Sequence, residues 1–177
     1  AAVEQHDWAF MYAAEELRRD RSFVLEAVRR NGGALRHAAG EFRGDRELVL
    51  QAMQRHDGAL SHSTEELRGD RAFMLEALRL NPLALKLAPA VFRGDADFVL
   101  AALHANPASH ELLAGAAEEL RHDRGFMLQA ASVNSRCLSY ASEELCIDGD
   151  FMLRASQQNV GALQQAAVEL HEDRSFA

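Results

Sequence analysis

Little in this chain would let it stay disordered, span a membrane or rely on disulfides. Proline is scarce, with 3 in 177 residues, and no Ser/Gly-rich linker or low-complexity tract occurs, so an ordered chain is expected. No apolar run approaches the ~18 residues of a membrane-spanning helix, and no direct membrane insertion is expected. The chain opens on Ala1 without a charged-then-apolar leader. Targeting signals are therefore expected to be absent or already removed, and the sequence to be a window on a longer protein. The only cysteines are Cys137 and Cys146. If both lay on one helix they would stand roughly 13 Å apart, beyond disulfide reach. Unpaired thiols favour an intracellular, reducing compartment, cytoplasm or organelle interior.

Signatures of chemistry are missing too. There is no Gly-x-Ser-x-Gly elbow, no glycine-rich phosphate loop, and no His-x3-His or Cys-x2-Cys spacing. Two pairs of histidines fall in matched places of the repeats, His37 with His62 one repeat apart and His6 with His56 two repeats apart. Neighbouring helices some 8–10 Å apart would keep such pairs from sharing one zinc, whose ligands approach to about 2 Å. No catalytic residue, cofactor or metal site is assigned, and the chain reads as not an enzyme. A net charge of −8 argues against a nucleic-acid partner, which calls for a basic stripe. The charge is also uneven: residues 1–94 carry 14 Lys+Arg and 14 Asp+Glu, whereas residues 95–177 carry 5 and 13. The second part is expected either to be a solvated surface or to face a basic protein partner.

What the chain does have is a repeat. An Asp-x-x-(Phe/Leu)-(Val/Met)-Leu block starts at Asp20, Asp45, Asp70, Asp95, Asp123 and Asp148, and a seventh copy begins at Asp173. The steps are 25, 25, 25, 28, 25 and 25 residues, a regularity that marks a repeat architecture. One array over residues 1–177 results, with full units at 20–44, 45–69, 70–94, 95–122, 123–147 and 148–172 and partial units at 1–19 and 173–177.

Each unit reads as two helices. Asp20 is a good N-cap, and Phe23, Val24, Leu25, Ala27 and Val28 spread over a wide helical face that must be packed on several sides. This first helix is expected to run about ten residues, to near Asn31. A second helix follows, with Asn-Pro at 81–82 and 106–107 suiting an Asn cap and Pro at the first helical position. Ala34, Leu35, Ala38 and Phe42 form its buried stripe, and Gly44, Gly69 and Gly94 are expected to close it in the left-handed conformation. The expected fold is all-α: an α-solenoid of short helix–turn–helix repeats of about 25 residues, winding as a right-handed superhelix. The alternative is one α-helix plus one 3-10 helix per unit; the apolar positions of the second segment favour a true α-helix. Pro89 falls inside that helix and is expected to kink it, and the three extra residues of unit 95–122 are placed within Asn106–Ala114. Residues 86–115 are therefore expected to mark a bend or a special contact.

The run Asp20–Val28, followed by Ala34-Leu35 and an (Ala/Ser)-x-Glu-(Leu/Phe)-Arg ending, resembles a catalogued family, domain of unknown function 4116. Such copies occur in tandem in protist and some bacterial proteins, usually drawn as pairs of these units. The resemblance spans essentially the whole chain and implies no activity, cofactor or catalytic residue. Departures occur at Ala96 and Gly149, where the Arg after the cap is lost, and at Cys146, where the closing Arg is replaced.

Residues repeated in every unit are poor candidates for a site used once. Glu16, Glu41, Glu66, Glu119, Glu144 and Glu169, with Arg18, Arg43, Arg68, Arg93 and Arg121, are read as joining unit to unit through ion pairs with the cap Asp and its Arg. Cys137 shares a column with Ala34, Ala59, Ala84 and Ala162 and reads as a small core residue. Variable columns are where recognition belongs. Tyr12, His37, His62, Leu87 and Tyr140 form a ladder of amphipathic or apolar groups facing away from the buried stripe, of the kind enriched at interfaces. The function expected is a non-catalytic repeat scaffold for protein–protein interaction, either free-standing or as a peripheral subunit of a larger assembly. The alternatives are a nucleic-acid-binding repeat protein and an accessory segment of a larger enzyme.

Overall fold

The computed structural model describes residues 7–56, 58–159 and 161–162. It contains two compact units, Ala1–Pro89 and Ala90–Ala177. The partial copy at 173–177, with Glu169, Gln164, Gln165 and His6, lies outside the described residues.

The aspartates start the helices as expected. The long helices are α1 (Arg21–Arg30), α2 (Arg46–Met53) and α3 (Arg71–Leu80) in the first unit, and α4 (Ala96–Ala105), α5 (Arg124–Val133) and α6 (Gly149–Gln158) in the second. Asp20, Asp45, Asp70, Asp95, Asp123 and Asp148 each hold extended backbone angles and accept from the amide three residues on, at 2.7–3.1 Å. One orphan donor of each helix start is thereby satisfied. α1 packs on α2 and α2 on α3, and likewise α4 on α5 and α5 on α6. Their apolar positions face those contacts: Phe73, Met74, Ala77 and Leu78 of α3 are all fully buried, each large one contributing about 1.5–3 kcal/mol. Ten residues of isolated helix would be marginal, so neighbouring repeats supply most of the stability.

The second segment is not one α-helix. In each repeat whose second segment is described it is a 3-10 helix followed, after two extended residues, by about one α-turn: Gly32–His37 then Gly40–Arg43, and Ser135–Tyr140 then Glu143–Cys146. The other 3-10 helices are Asp7–Tyr12, Ala59–His62, Pro82–Leu87 and His110–Gly115. The stripe Ala34, Leu35, Ala38 and Phe42 is buried as expected, but by a different path. Asn31 is extended and accepts from the Gly33 amide at 3.0 Å, which launches i to i+3 bonding. Ala38 and Ala39 then turn extended, with ψ of 157° and 152°. At three of these breaks the extended residue points its amide away from its own helix and the preceding repeat supplies the acceptor: Thr64 donates to the Arg43 carbonyl (3.0 Å), Ala117 to Arg93 (2.8 Å) and Ser142 to Arg121 (2.9 Å); Ala39 is extended without such a bond, and Pro89 has no amide to give. These backbone bonds join repeat to repeat.

Three local expectations change with it. Pro89 occupies the column of Ala39 and Thr64, between the 3-10 helix Pro82–Leu87 and the turn Ala90–Arg93, so it does not fall inside a helix as expected; it only lacks an amide to donate. Gly44 and Gly69 are right-handed, with φ of −95° and −76°, and no described residue has positive φ. The next cap Asp, extended, ends the turn instead. The column also admits Arg19 and Ile147, which a left-handed position would disfavour. The three extra residues form a loop: Pro107 and Ala108 make a turn before His110–Gly115, so Pro107 is not the first residue of a helix as Pro82 is.

Candidate functional site

Of the recurring polar residues, the cap Asp and the Arg after it are spent on the repeat itself, whereas Glu16, Glu41, Glu66, Glu119 and Glu144 are exposed and make none of the expected ion pairs among the described residues. The ion pairs between repeats use the Arg that follows the cap. Arg21 reaches Asp45 (3.1 Å) and Glu47 (2.8 Å), Arg46 reaches Glu76 (2.6 Å), and Arg124 pairs with Asp148. Arg46 and Arg124 also lie over the rings of Phe73 and Phe151, at 5.7 and 5.6 Å from the centroids. Part of each guanidinium is solvated, so each pair contributes on the order of 0.2–1 kcal/mol. The Arg that closes the one-turn helix points elsewhere: Arg68 donates to the Ser63 carbonyl of its own repeat at 2.7 Å. In the same column the Nε atoms of Arg18, Arg93 and Arg121 are buried without a hydrogen-bond partner. The arginines of this column join the next repeat through their backbone carbonyls, at Arg43, Arg93 and Arg121, and the guanidinium at the junction is that of the Arg beside the cap.

Two caps carry depressed carboxyl pKa values. At Asp20 the Ser22 hydroxyl is the main cause and the Phe23 amide the next. At Asp148 it is the Phe151 amide first and then Arg124. Both groups serve helix starts.

The ladder residues share one structural position. Tyr12, His37, His62, Leu87 and Tyr140 are each the last residue of a 3-10 helix. In the first unit the four successive 3-10 helices pack on one another, which brings Tyr12, His37, His62 and Leu87 into register along one edge. Tyr12 is the most exposed, at 75%, Leu87 is 37% exposed, and the histidines are half-buried. His37 borders an open cleft of about 230 Å³ lined by Glu15, Arg18, Arg19, Ala38, Ala39 and Gly40. In the second unit the same position holds buried Gly115 and then Tyr140, whose ring stands 6.2 Å from that of His110. Tyr140 thus follows an interrupted step of the ladder and has an aromatic neighbour of its own.

Sequence reasoning missed other surface groups. Val91 and Ile147 are exposed by 71% and 73%. Ile147 had a signal, because it replaces glycine in the column of Gly44 and Gly69. The acidic part offers an open cleft of about 490 Å³ lined by Glu118, Glu119, His122 and Asp123.

Cys137 is buried, in the 3-10 core column where the small-residue reading placed it, and burial pushes its thiol up to about 12. Neither cysteine forms a disulfide. Among the described residues no three His, Cys, Asp or Glu side chains gather as a metal ion would need, and no helix is long and apolar enough to cross a membrane.

Comparison with known families gives one match. The model described as domain of unknown function 4116 matches residues 1–43, 20–68, 45–93, 70–114 and 95–146. Each match covers about two repeats, and four of them start on a cap aspartate. Neither curated proteins nor solved structures give a match.

Proposed function

This chain belongs to the domain of unknown function 4116 family, and on that footing we propose that it is a non-catalytic helical-repeat scaffold that holds protein partners. One observation carries the reading. The recurring cap Asp and the Arg beside it are taken up by helix starts and by bonds between repeats, while five of the six 3-10 helices among the described residues end on an accessible Tyr, His or Leu and the sixth ends on buried Gly115. A stack built this way offers a partner one such side chain at each of those five repeats. Tyrosine anchors suit that use, since they add contact area with little loss of side-chain freedom. A partner reaching residues 95–177 would meet Asp97, Glu118, Glu119 and Asp150, all exposed, and is expected to be basic there.

The test compares the natural chain with a Tyr12→Ala, Tyr140→Ala double variant, each used as bait in its native source. Supporting the proposal, the natural chain captures a defined protein that the variant loses, with coincident melting curves. Capture of the same proteins by both baits would overturn the role given to this edge.

A further inference from the structure

A second surface lies at the other end of the long helices of the first unit. Counted from each cap aspartate, the ninth position holds Arg29, Gln54 and Arg79, and the tenth holds Arg30, Arg55 and Leu80. All six are exposed. Because α1, α2 and α3 pack side by side, these positions form a row crossing the three helix C-termini.

The arginines of the row differ from those at the opposite end. Arg21 and Arg46 are saturated by carboxylates of the next repeat. Arg55 and Arg79 make no ion pair among the described residues, and Arg29 uses only its Nε, donating to Gln51 Oε1 at 2.9 Å. Arg30 is neutralised within its own helix by Glu26 at 2.6 Å and does not count toward the open positive charge of the row. Between the first two repeats an open cleft of about 340 Å³ is lined by Arg29, Gln51, Gln54 and Arg55. Two guanidinium groups and two primary amides surround it, and no carboxylate does. Helix-end arginines do oppose the macrodipole, but that role asks for no such cleft. In the second unit the same positions hold His104 and Ala105, Ser132 and Val133, and Gln157 and Gln158. The feature belongs to the first unit alone.

We propose that this row, Arg29, Arg55 and Arg79 with Gln51 and Gln54, binds an extended acidic segment of a protein partner. Guanidinium forks donate to carboxylates in a bidentate manner. The spacing fits a strand-like peptide: neighbouring helices stand roughly 8–10 Å apart, and three residues of extended chain cover about 10 Å. One carboxylate every third residue would therefore meet one repeat each. A nucleic-acid strand fits less well: charged at every nucleotide, it asks for a continuous basic stripe, whereas open arginines at about one per repeat match a segment charged only every third residue. The row lies apart from the 3-10 edge, so it does not depend on the function proposed for that edge.

The experiment titrates the full chain with a fluorescein-labelled peptide of repeated Glu-Gly-Ser, at low and physiological salt. Its controls are a peptide of equal charge with the glutamates in one block, a Lys-Gly-Ser peptide and a uridine oligonucleotide. Expected are saturable binding of Glu-Gly-Ser that weakens with salt and weaker binding of every control. The Arg29→Gln, Arg55→Gln, Arg79→Gln triple variant should bind at least about tenfold more weakly. Arg55→Gln alone, which lies beyond the end of α2 and leaves its hydrogen bonds intact, should lose about threefold. Equal binding by the natural chain and Arg55→Gln, no binding at millimolar peptide, or tighter binding of the blocked peptide or the oligonucleotide would overturn the proposal.

Discussion

The two extended residues between each 3-10 helix and its one-turn helix can be tested with a single proline. In Ala39→Pro the ring needs φ near −65°, and Ala39 has −57°. The residue before a proline must be extended, and Ala38 has φ −71° and ψ 157°. The Ala39 amide makes no hydrogen bond among the described residues, and its side chain borders the open 230 Å³ cleft, so the ring has room. Only the unfolded chain then loses freedom, and the variant should gain about 0.4–1 kcal/mol. For a chain of this size that is roughly 1–4 °C in Tm. Within a continuous α-helix the same change would cost about 3 kcal/mol or more, lowering Tm by roughly 6–12 °C. Ala117→Pro is the matched comparison: its angles also fit, with φ −63° and ψ 150°, but its amide bonds the Arg93 carbonyl at 2.8 Å. Losing that bond costs about 1 kcal/mol, and the ring carbon replacing the amide hydrogen would press on the carbonyl oxygen, so Ala117→Pro should be clearly destabilised, well below Ala39→Pro. Urea titrations followed by circular dichroism would read both. A loss of several kcal/mol in Ala39→Pro would refute the break.

Two more outcomes come from the packing. A methyl group added in Gly32→Ala would meet the Ala52 carbonyl oxygen at 2.3 Å and His56 Cβ at 2.8 Å, so the variant should lose about 1–3 kcal/mol; Gly149→Ala, with nothing within 4 Å, should be neutral or slightly stabilising, and equal stabilities would count against the close approach of repeats at Gly32. An alkylating reagent at pH 8 should modify half-exposed Cys146 and spare Cys137, whose thiol is buried and raised to about 12; Cys137 should react only once urea unfolds the chain, and mass spectrometry showing early labelling there would place it outside the core.

Much of the architecture is written locally. An aspartate caps the amide three residues on whatever its neighbours do, so all six long-helix starts were legible. Burial was legible too, because Ala34, Leu35, Ala38 and Phe42 recur as an apolar set whichever helix type carries them. The helix type was not. At Thr64, Ala117 and Ser142 the break is held by an acceptor about 21 to 24 residues back, which no single repeat contains, and at Ala39 and Pro89 the same break stands without that bond. Pro89 was the local hint, since a residue without an amide tolerates that column only if the helix is already broken there.

The same division holds for the surfaces. Sequence periodicity alone placed Tyr12, His37, His62, Leu87 and Tyr140 in one column, because a repeat returns its side chains to equivalent positions. Tertiary structure decided that the step of that column between Leu87 and Tyr140 falls on a buried glycine, Gly115. It also decided which arginines are consumed at the junctions and which, like Arg55 and Arg79, are left to solvent. Partner choice for a long charged side chain is set by which carboxylate the next repeat brings within reach, and that is a property of the stack.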